Sequence, residues 1–437
     1  MNRLSHKELV FISFMLFSMF FGAGNLIFPA FLGRSAGIEM WLALGGFIVT
    51  AVGLPILGVI AVGKAGSLHV LSTRVHPWFA LLFPFLIYVS IGPGLAIPRA
   101  GTIAYEMGMN PFLPDSLANH SLMLLLYTIV FFAMVLWLSL SPSKLVDRFG
   151  KILTPLLLAL IGIIFIKGII TPIGTFTAPT DVYAGNSFFQ GFIDGYLTMD
   201  ALAALVYGIV VANTIRSKGL GDTSLIAKYT MLAGLGAGIL LAIIYGILGY
   251  LGASSASIGV AENGAQTLTI VMSVLFGEIG TVLLGVLFTL ACLCVSIGLI
   301  ISCSQYFSNT FPILAYKGWA VVLSVISLTV ANLGLNQILA VSVPILGAIY
   351  PLAVVLIVLG LLNRYVNHSI YLSTVIFTGV FSLIETINHT FLGDVLDSVL
   401  GYFPLYQEGV GWVLPAIIGV IVGAIVHKLK APVLAKS

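Results

Sequence analysis

The chain has 437 residues, of which 59% are hydrophobic and only 8% are charged. Soluble proteins carry charge on roughly a quarter of their residues, so this composition excludes an ordinary water-soluble domain and requires lipid around most of the surface. The formal net charge of +3 is too small and too dispersed to indicate nucleic-acid binding.

Long apolar stretches follow one another along the chain, separated by short polar connections. A helix needs about 20 apolar residues to cross a hydrocarbon core roughly 30 Å thick. Twelve stretches come close to this length, at about 10–32, 39–62, 78–105, 121–140, 152–172, 190–213, 225–251, 277–306, 317–333, 338–361, 370–388 and 411–428. The sequence therefore predicts an all-α polytopic membrane protein, with one transmembrane domain over residues 1–437.

Basic residues alternate between the connections of this arrangement. With the amino terminus inside, all of the 18 basic residues except Arg34, Arg99 and Lys167 fall in cytoplasmic segments. The positive-inside rule therefore predicts that both chain termini are cytoplasmic.

A helix-weakening segment, Gly22-Ala23-Gly24-Asn25, lies near the middle of the first predicted span and precedes Pro29. Glycine weakens a helix, and proline cannot donate a backbone hydrogen bond. One interpretation is a kink or a packing face of small residues. The other is an unwound segment, whose free amides bind an anion and whose free carbonyls bind a cation.

A second interruption, Gly195 to Asp200, falls within the sixth predicted span. A carboxylate at this depth costs about 3 kcal/mol and usually marks an ion site or a transport pathway, although Asp200 could also lie near a misplaced helix end. Interruptions at equivalent positions of two halves are typical of inverted-repeat transporters. They predict five-helix repeats over about 10–172 and 190–361, and two accessory helices over 370–428.

The third predicted span contains Pro93, Pro98 and Arg99. A bent helix that lines a polar space would explain them, but Arg99 could equally extend to the outer interface beside Glu106.

No enzyme motif is apparent. The sequence has neither the zinc-binding HExxH pattern nor the phosphate-binding GxxxxGK[ST] loop. The three cysteines suggest buried reduced thiols rather than a metal site. We therefore expect no catalytic residues, no metal centre, no cofactor and no obligate protein partner, and transport that is passive or driven by an ion gradient.

At this point the motifs resemble a known family. Phe21-Gly22-Ala23-Gly24-Asn25-Leu26-Ile27-Phe28-Pro29 is similar to the first-helix signature of the bacterial branched-chain amino acid:cation symporters, and the segments Ile91–Pro93, Ala96–Arg99 and Gly195–Ala203 resemble further signatures. The resemblance covers essentially the whole chain. It implies a LeuT-type fold with discontinuous first and sixth helices, import of leucine, isoleucine or valine across the bacterial inner membrane, and sodium as the expected coupling ion.

The resemblance also implies roles for individual residues. The expected substrate-binding residues are Gly22, Ala23, Gly24, Tyr196, Thr198 and Asp200. The expected cation-binding residues are Ser18, Phe20, Phe21, Asn25, Thr198 and Ser296. Within these sets the amides around Ala23 and Gly24 would hold the substrate carboxylate, and Ser18, Phe21 and Ser296 would belong to a second cation site.

The sequence departs from the family pattern in two places. Gly94-Leu95 follows Pro93 where bulky aromatic residues are usual, and Cys294-Val295-Ser296 stands where a threonine is expected in the eighth helix. The second departure moves the hydroxyl about 100° around the helix. A proton-coupled carrier with Asp200 as the titrating group therefore stays open as an alternative, as does a channel or a nutrient sensor.

Overall fold

The computed structural model describes residues 4–114, 116–117, 120–144 and 146–434, and within these ranges the protein contains helices but no strand. The α-helices in chain order are α1 His6–Phe20, α2 Ala23–Ala36, α3 Met40–Ile48, α4 Leu54–Ala65, α5 Leu68–Thr73, α6 Pro77–Val89, α7 Ala96–Gly108, α8 Ser121–Ser139, α9 Thr154–Ile170, α10 Asp181–Ala184, α11 Ser187–Asp194, α12 Asp200–Ser217, α13 Thr223–Ser254, α14 Gly264–Phe276, α15 Glu278–Thr310, α16 Tyr316–Ala331, α17 Leu335–Leu361, α18 His368–Ile387, α19 Asp397–Leu400 and α20 Val413–Leu434. Several of them are joined directly by short 3-10 or π turns.

The helices match the predicted spans closely. In the described part of the chain, nine helical stretches are long and apolar enough to cross a bilayer, and three apolar helices are shorter, at Gly264–Phe276, Tyr316–Ala331 and Val413–Leu429. The all-helical class is therefore confirmed. The count of twelve spans and the two five-helix repeats stay predictions.

Helices α2 and α13 pack against each other through small residues. A Cβ on Gly252 of α13 would lie 1.9 Å from the carbonyl oxygen of Ala30 on α2, and a Cβ on Gly33 would lie 1.9 Å from the carbonyl oxygen of Gly249. Small residues let the backbones of two membrane helices approach closely, so that dispersion contacts hold them together. Helix α2, which carries the first-helix signature, is thus fixed against α13.

Replacing Gly252 by alanine is expected to lower the unfolding temperature of the purified protein in detergent, because the new methyl group would push α2 away from α13. Overpacking of this kind costs about 1–3 kcal/mol. The matched control is Gly246→Ala in the same helix, where an added Cβ meets nothing within 4 Å. Equal unfolding temperatures for the two variants would contradict the close packing.

The first predicted span is broken, but at a slightly different place from the one expected. Helix α1 ends at Phe20 and α2 begins at Ala23, so only Phe21 and Gly22 are non-helical. The expected unwound segment of residues 22–25 is therefore shifted, because Ala23 to Asn25 form the first turn of α2. Pro29 lies inside α2 without ending it.

The sixth predicted span is also broken. Helix α11 ends at Asp194, a 3-10 turn covers Gly195–Thr198, and Met199 adopts a left-handed backbone with φ 65° before α12 begins. A non-glycine residue in this conformation is uncommon and mostly found where the surroundings enforce it. Asp200 is therefore the first residue of α12, directly after the break, and the predicted interruption of the sixth span is confirmed.

The third predicted span is bent, as expected. Helices α6 and α7 are joined by a π turn over Ser90–Gly94 that contains Pro93, and Gly92 leaves helical geometry with ψ −124°. The bend turns α7 so that Arg99 is only 8% exposed. The alternative in which Arg99 reaches the outer interface is therefore wrong.

Candidate functional site

The breaks in the first, third and sixth predicted spans meet at a small cavity. It is lined by Met19, Phe20, Gly22, Ala23, Gly24, Asn25, Ile91, Ala96, Arg99, Ala100, Thr198, Met199, Asp200, Ala203, Val295 and Leu299. Its volume is about 40 Å³, enough for a few water molecules. The surrounding segments must therefore move apart before a larger ligand can enter.

Asn25 connects the two broken helices. Its Oδ1 accepts a hydrogen bond of 3.0 Å from the backbone N–H of Gly22, and so caps the first turn of α2. Its Nδ2 donates to Oδ2 of Asp200 at 2.6 Å and to the hydroxyl of Tyr245. The side chain is 2% exposed, so its hydrogen bonds are shielded from water and fix the two breaks relative to each other.

Asp200 is the acidic centre of the cavity, and it is 2% exposed. Besides the bond from Asn25, its Oδ2 accepts a hydrogen bond of 3.2 Å from Tyr245. The Thr198 hydroxyl accepts from the backbone N–H of Asp200 at 3.4 Å and donates to the carbonyl of Gly195 at 2.9 Å. Oxygen atoms from α2, α12, α13 and the 3-10 turn therefore converge at one point.

Arg99 brings a positive charge to the same cavity from α7. Its Nη1 and Nη2 atoms each lie 3.4 Å from the carbonyl oxygen of Leu197, in the 3-10 turn of the sixth span. A Cβ on Gly24 would lie 3.5 Å from Nη2 of Arg99 and 3.2 Å from the ring of Phe28. The guanidinium group is therefore close to the amino-terminal turn of α2.

A larger cavity of about 600 Å³ lies beyond this site and is lined by residues that include Phe28, Arg34, Asp194, Leu197 and Glu262. Phe28 contacts Gly24, and the Leu197 carbonyl contacts Arg99, so these two residues separate the large cavity from the small one. We call the large cavity the vestibule.

Arg34, one of the three basic residues that did not fit the predicted charge pattern, lines the vestibule. Its guanidinium donates to the carbonyl of Ser255 at 2.8 Å and to the carbonyl of Ile258 at 3.0 Å. It also donates to the carbonyl of Gly259. These bonds tie the end of α2 to the segment that follows α13, which explains a basic residue at this position.

Seven of the eleven predicted site residues line the small cavity, namely Phe20, Gly22, Ala23, Gly24, Asn25, Thr198 and Asp200. Phe21 lies in the break of the first span, and its ring stacks on Phe17 instead. Ser18, Tyr196 and Ser296 lie elsewhere.

These three residues have other surroundings. The Ser18 hydroxyl is hydrogen-bonded to Thr154, and the residue of α15 that contacts Ser18 is Cys294. The Ser296 hydroxyl is buried and has no hydrogen-bond partner among the residues that the structure describes. Tyr196 stacks on Tyr350 with ring centroids 4.2 Å apart.

No sequence pattern indicates a role for Tyr245. It lies in the middle of an apolar helix, and its contact with Asp200 joins residues that are 45 positions apart. The hydroxyl accepts from Asn25 and donates to Asp200, and so completes a buried three-residue network.

Removing this hydroxyl by Tyr245→Phe is expected to lower the transport rate of the reconstituted protein about tenfold, since a hydrogen bond to a charged group contributes about 1.5–3 kcal/mol. The control is Tyr229→Phe, which removes a hydroxyl from a half-buried tyrosine of the same helix. Initial rates measured in liposomes that contain equal amounts of protein provide the comparison. Equal rates for both variants would show that the network does not depend on the hydroxyl of Tyr245.

The chain is similar to known proteins along almost its whole length. The pattern of a family described as branched-chain amino acid transport protein matches residues 5–430. The chain belongs to this family. It is 45% identical to the branched-chain amino acid permease BraB of Bacillus subtilis, over 99% of this chain and 98% of the permease.

Two solved structures share the fold at low sequence identity. MhsT in complex with L-phenylalanine matches with a TM-score of 0.57 and 17% identity, over 98% of this chain and 99% of MhsT. Mhp1, a nucleobase-cation-symport-1 family transporter in a closed conformation, matches with a TM-score of 0.62 and 12% identity, over 97% of this chain and 93% of Mhp1.

These relatives confirm the predicted family and the LeuT-type fold class. The protein is thus a multi-pass membrane permease and not an enzyme.

Proposed function

We propose that the protein imports branched-chain amino acids by cation-coupled symport. The observation that carries this proposal is the closed cavity at the two helix breaks, where an acidic and a basic side chain face the same small space. The names of the family and of BraB support branched-chain amino acids as the substrate class.

In this proposal the substrate ammonium group lies beside Asp200, and the substrate carboxylate lies towards the amino-terminal turn of α2. The positive end of a helix dipole favours an anion there. The aliphatic side chain would contact the apolar lining residues, which include Ile91, Val295 and Leu299. Because one methylene group changes binding by only about 1–3 kcal/mol, selectivity among leucine, isoleucine and valine should be modest.

Sodium is the proposed coupling ion, and the residues at the helix breaks suit it. Thr198, Asp200 and Tyr245 supply hydroxyl and carboxylate oxygens within one hydrogen-bonded cluster, and the amide oxygen of Asn25 lies at the neighbouring break, where it accepts from the Gly22 N–H. Such oxygens are the ligands preferred by hard cations. When bound, the ion would neutralise the carboxylate of Asp200.

A second cation site between Ser18, Phe21 and Ser296 has weaker support. The α15 residue beside Ser18 is Cys294, whose thiol is a poor ligand for sodium. This observation favours the second candidate function, a carrier coupled to protons through Asp200.

Alternating access follows from the closed geometry. Because the cavity of about 40 Å³ is too small for an amino acid, the substrate must enter when α2 and the 3-10 turn move away from α7. The breaks at Gly22 and Met199 offer two hinge positions. We further propose that the vestibule opens to the outside, and that both termini are cytoplasmic at the bacterial inner membrane; the chain ends themselves lie outside the described residues.

The proposal is tested by uptake of radiolabelled leucine into liposomes that contain the purified protein. An inward sodium gradient and an inward proton gradient are imposed in separate experiments, with protein-free liposomes as the control. Accumulation driven by sodium supports the sodium symporter, and accumulation driven only by protons supports the alternative. Flux that fails to saturate with leucine would indicate a channel, and absence of binding and uptake would favour a sensor of another ligand.

A further inference from the structure

Arg99 is a buried cation that forms no direct ion pair with a described carboxylate. It is 8% exposed, and no carboxylate in the described part of the chain lies within 4.0 Å of its guanidinium group. The two hydrogen bonds to the Leu197 carbonyl are long, at 3.4 Å each. A buried charge is strongly unfavourable unless a partner of opposite charge compensates it, so Arg99 favours an anionic group within hydrogen-bonding distance.

The small cavity also contains an acidic side chain, Asp200. Arg99 and Asp200 both line the small cavity, but they do not form a salt bridge with each other. Asp200 is held instead by the neutral side chains of Asn25 and Tyr245. An acidic and a basic side chain that line one cavity without a direct salt bridge complement a ligand that carries both an ammonium group and a carboxylate.

We propose that Arg99 binds the carboxylate of the substrate, so that the site recognises an α-amino acid as a zwitterion held between Arg99 and Asp200. This inference rests on the proposed function and extends it, because the carboxylate was assigned above only to the amides of α2. A guanidinium group offers two parallel N–H donors that match the two oxygens of a carboxylate. The guanidinium lies beside the first turn of α2, since a Cβ on Gly24 would lie 3.5 Å from Nη2, so Arg99 and the amides of that turn face the same part of the cavity.

The same residue connects substrate binding to closure of the cavity. Arg99 donates to the carbonyl of Leu197, and Leu197 helps to separate the cavity from the vestibule. A carboxylate bound to Arg99 therefore holds the guanidinium group in place. The guanidinium in turn holds the Leu197 segment through its hydrogen bonds to the Leu197 carbonyl. A ligand without a carboxylate lacks this contact and is expected to bind weakly even if its aliphatic group fits.

The test measures direct binding of three ligands to purified protein in lipid nanodiscs by calorimetry. The ligands are leucine, 3-methylbutylamine, which lacks the carboxylate, and 4-methylpentanoate, which lacks the ammonium group. For the wild type we expect leucine to bind best. In Arg99→Gln the affinity for leucine should fall about 10- to 100-fold, while the affinity for 3-methylbutylamine should stay within about twofold of the wild-type value.

Arg99→Lys keeps the charge but loses the planar fork, so its leucine affinity should lie between those of the wild type and Arg99→Gln. The Arg99→Lys variant still tests the proposal if Arg99→Gln does not fold. A second safeguard needs no variant at all: the affinities of the wild type for leucine and for leucine methyl ester are compared. Wild-type protein that binds the ester as tightly as leucine would overturn the proposal.

Two further outcomes would also overturn it. Equal losses for leucine and 3-methylbutylamine in Arg99→Gln would assign Arg99 a structural role at the Leu197 carbonyl. Unchanged leucine affinity in the folded variant would remove Arg99 from the site while leaving the proposed function intact. Failure of the wild type to bind any branched-chain amino acid would instead refute the proposed function itself.

Discussion

Asp200→Asn should abolish accumulation of leucine in liposomes while the protein still folds and inserts. The substitution keeps the size of the side chain but removes the negative charge that would face the substrate ammonium group. It also places an amide where Oδ2 now accepts hydrogen bonds from Asn25 and Tyr245. Each hydrogen bond to a charged group contributes about 1.5–3 kcal/mol, so a loss of at least about a hundredfold in uptake is expected.

The matched control is Asp222→Asn, since Asp222 caps the start of α13 through a hydrogen bond of 2.9 Å to the N–H of Ser224. Asparagine caps a helix as well as aspartate does, so this variant should transport normally. Exchange of labelled for unlabelled leucine adds a second readout. If Asp200 only carries a coupling proton, the variant will still exchange leucine but will not accumulate it. Full accumulation by Asp200→Asn would show that the charge has no role in transport.

Local sequence patterns predicted the helices well, because the length of an apolar run is fixed by the thickness of the bilayer. They also located both broken helices, since Gly22 and Gly195 weaken helices wherever they occur. The exact ends of the breaks were missed. Met199 adopts φ 65° although its residue type gives no such preference, and Pro29 continues α2 although proline usually disrupts a helix. In both cases the packing of distant segments decides the backbone.

The partners within the site could not be predicted for a related reason. The bonds of Asn25 to Asp200 and Tyr245 span 175 and 220 positions of the chain. No spacing pattern connects residues that far apart, whereas the resemblance to a family could suggest Asn25 and Asp200 individually. The sequence did not decide whether Arg99 faces a polar space inside the protein or the outer interface. The direction of the helix bend determines where this side chain lies, and the sequence indicated the bend but not its direction.

The second large effect is expected for Asn25→Ala, which removes the amide that holds both breaks together. Alanine leaves the Gly22 N–H without its partner and removes one of the two side-chain hydrogen bonds to Oδ2 of Asp200, and both groups are buried. Each unsatisfied group costs about 1–3 kcal/mol. Because the same side chain belongs to the proposed cation cluster, apparent leucine affinity and cation dependence should weaken together, each by about tenfold or more.

Leucine uptake measured as a function of leucine at several fixed cation concentrations separates the two effects. The control is Asn213→Ala, which removes an exposed amide of α12 whose oxygen accepts a hydrogen bond from Arg216. A rise in the KM for leucine that extra cation partly reverses would place the ion and the substrate at one coupled site, because each ligand then helps the other to bind. A higher KM that no cation concentration changes would confine Asn25 to a structural role, and unchanged kinetics at every cation concentration would remove it from both binding events.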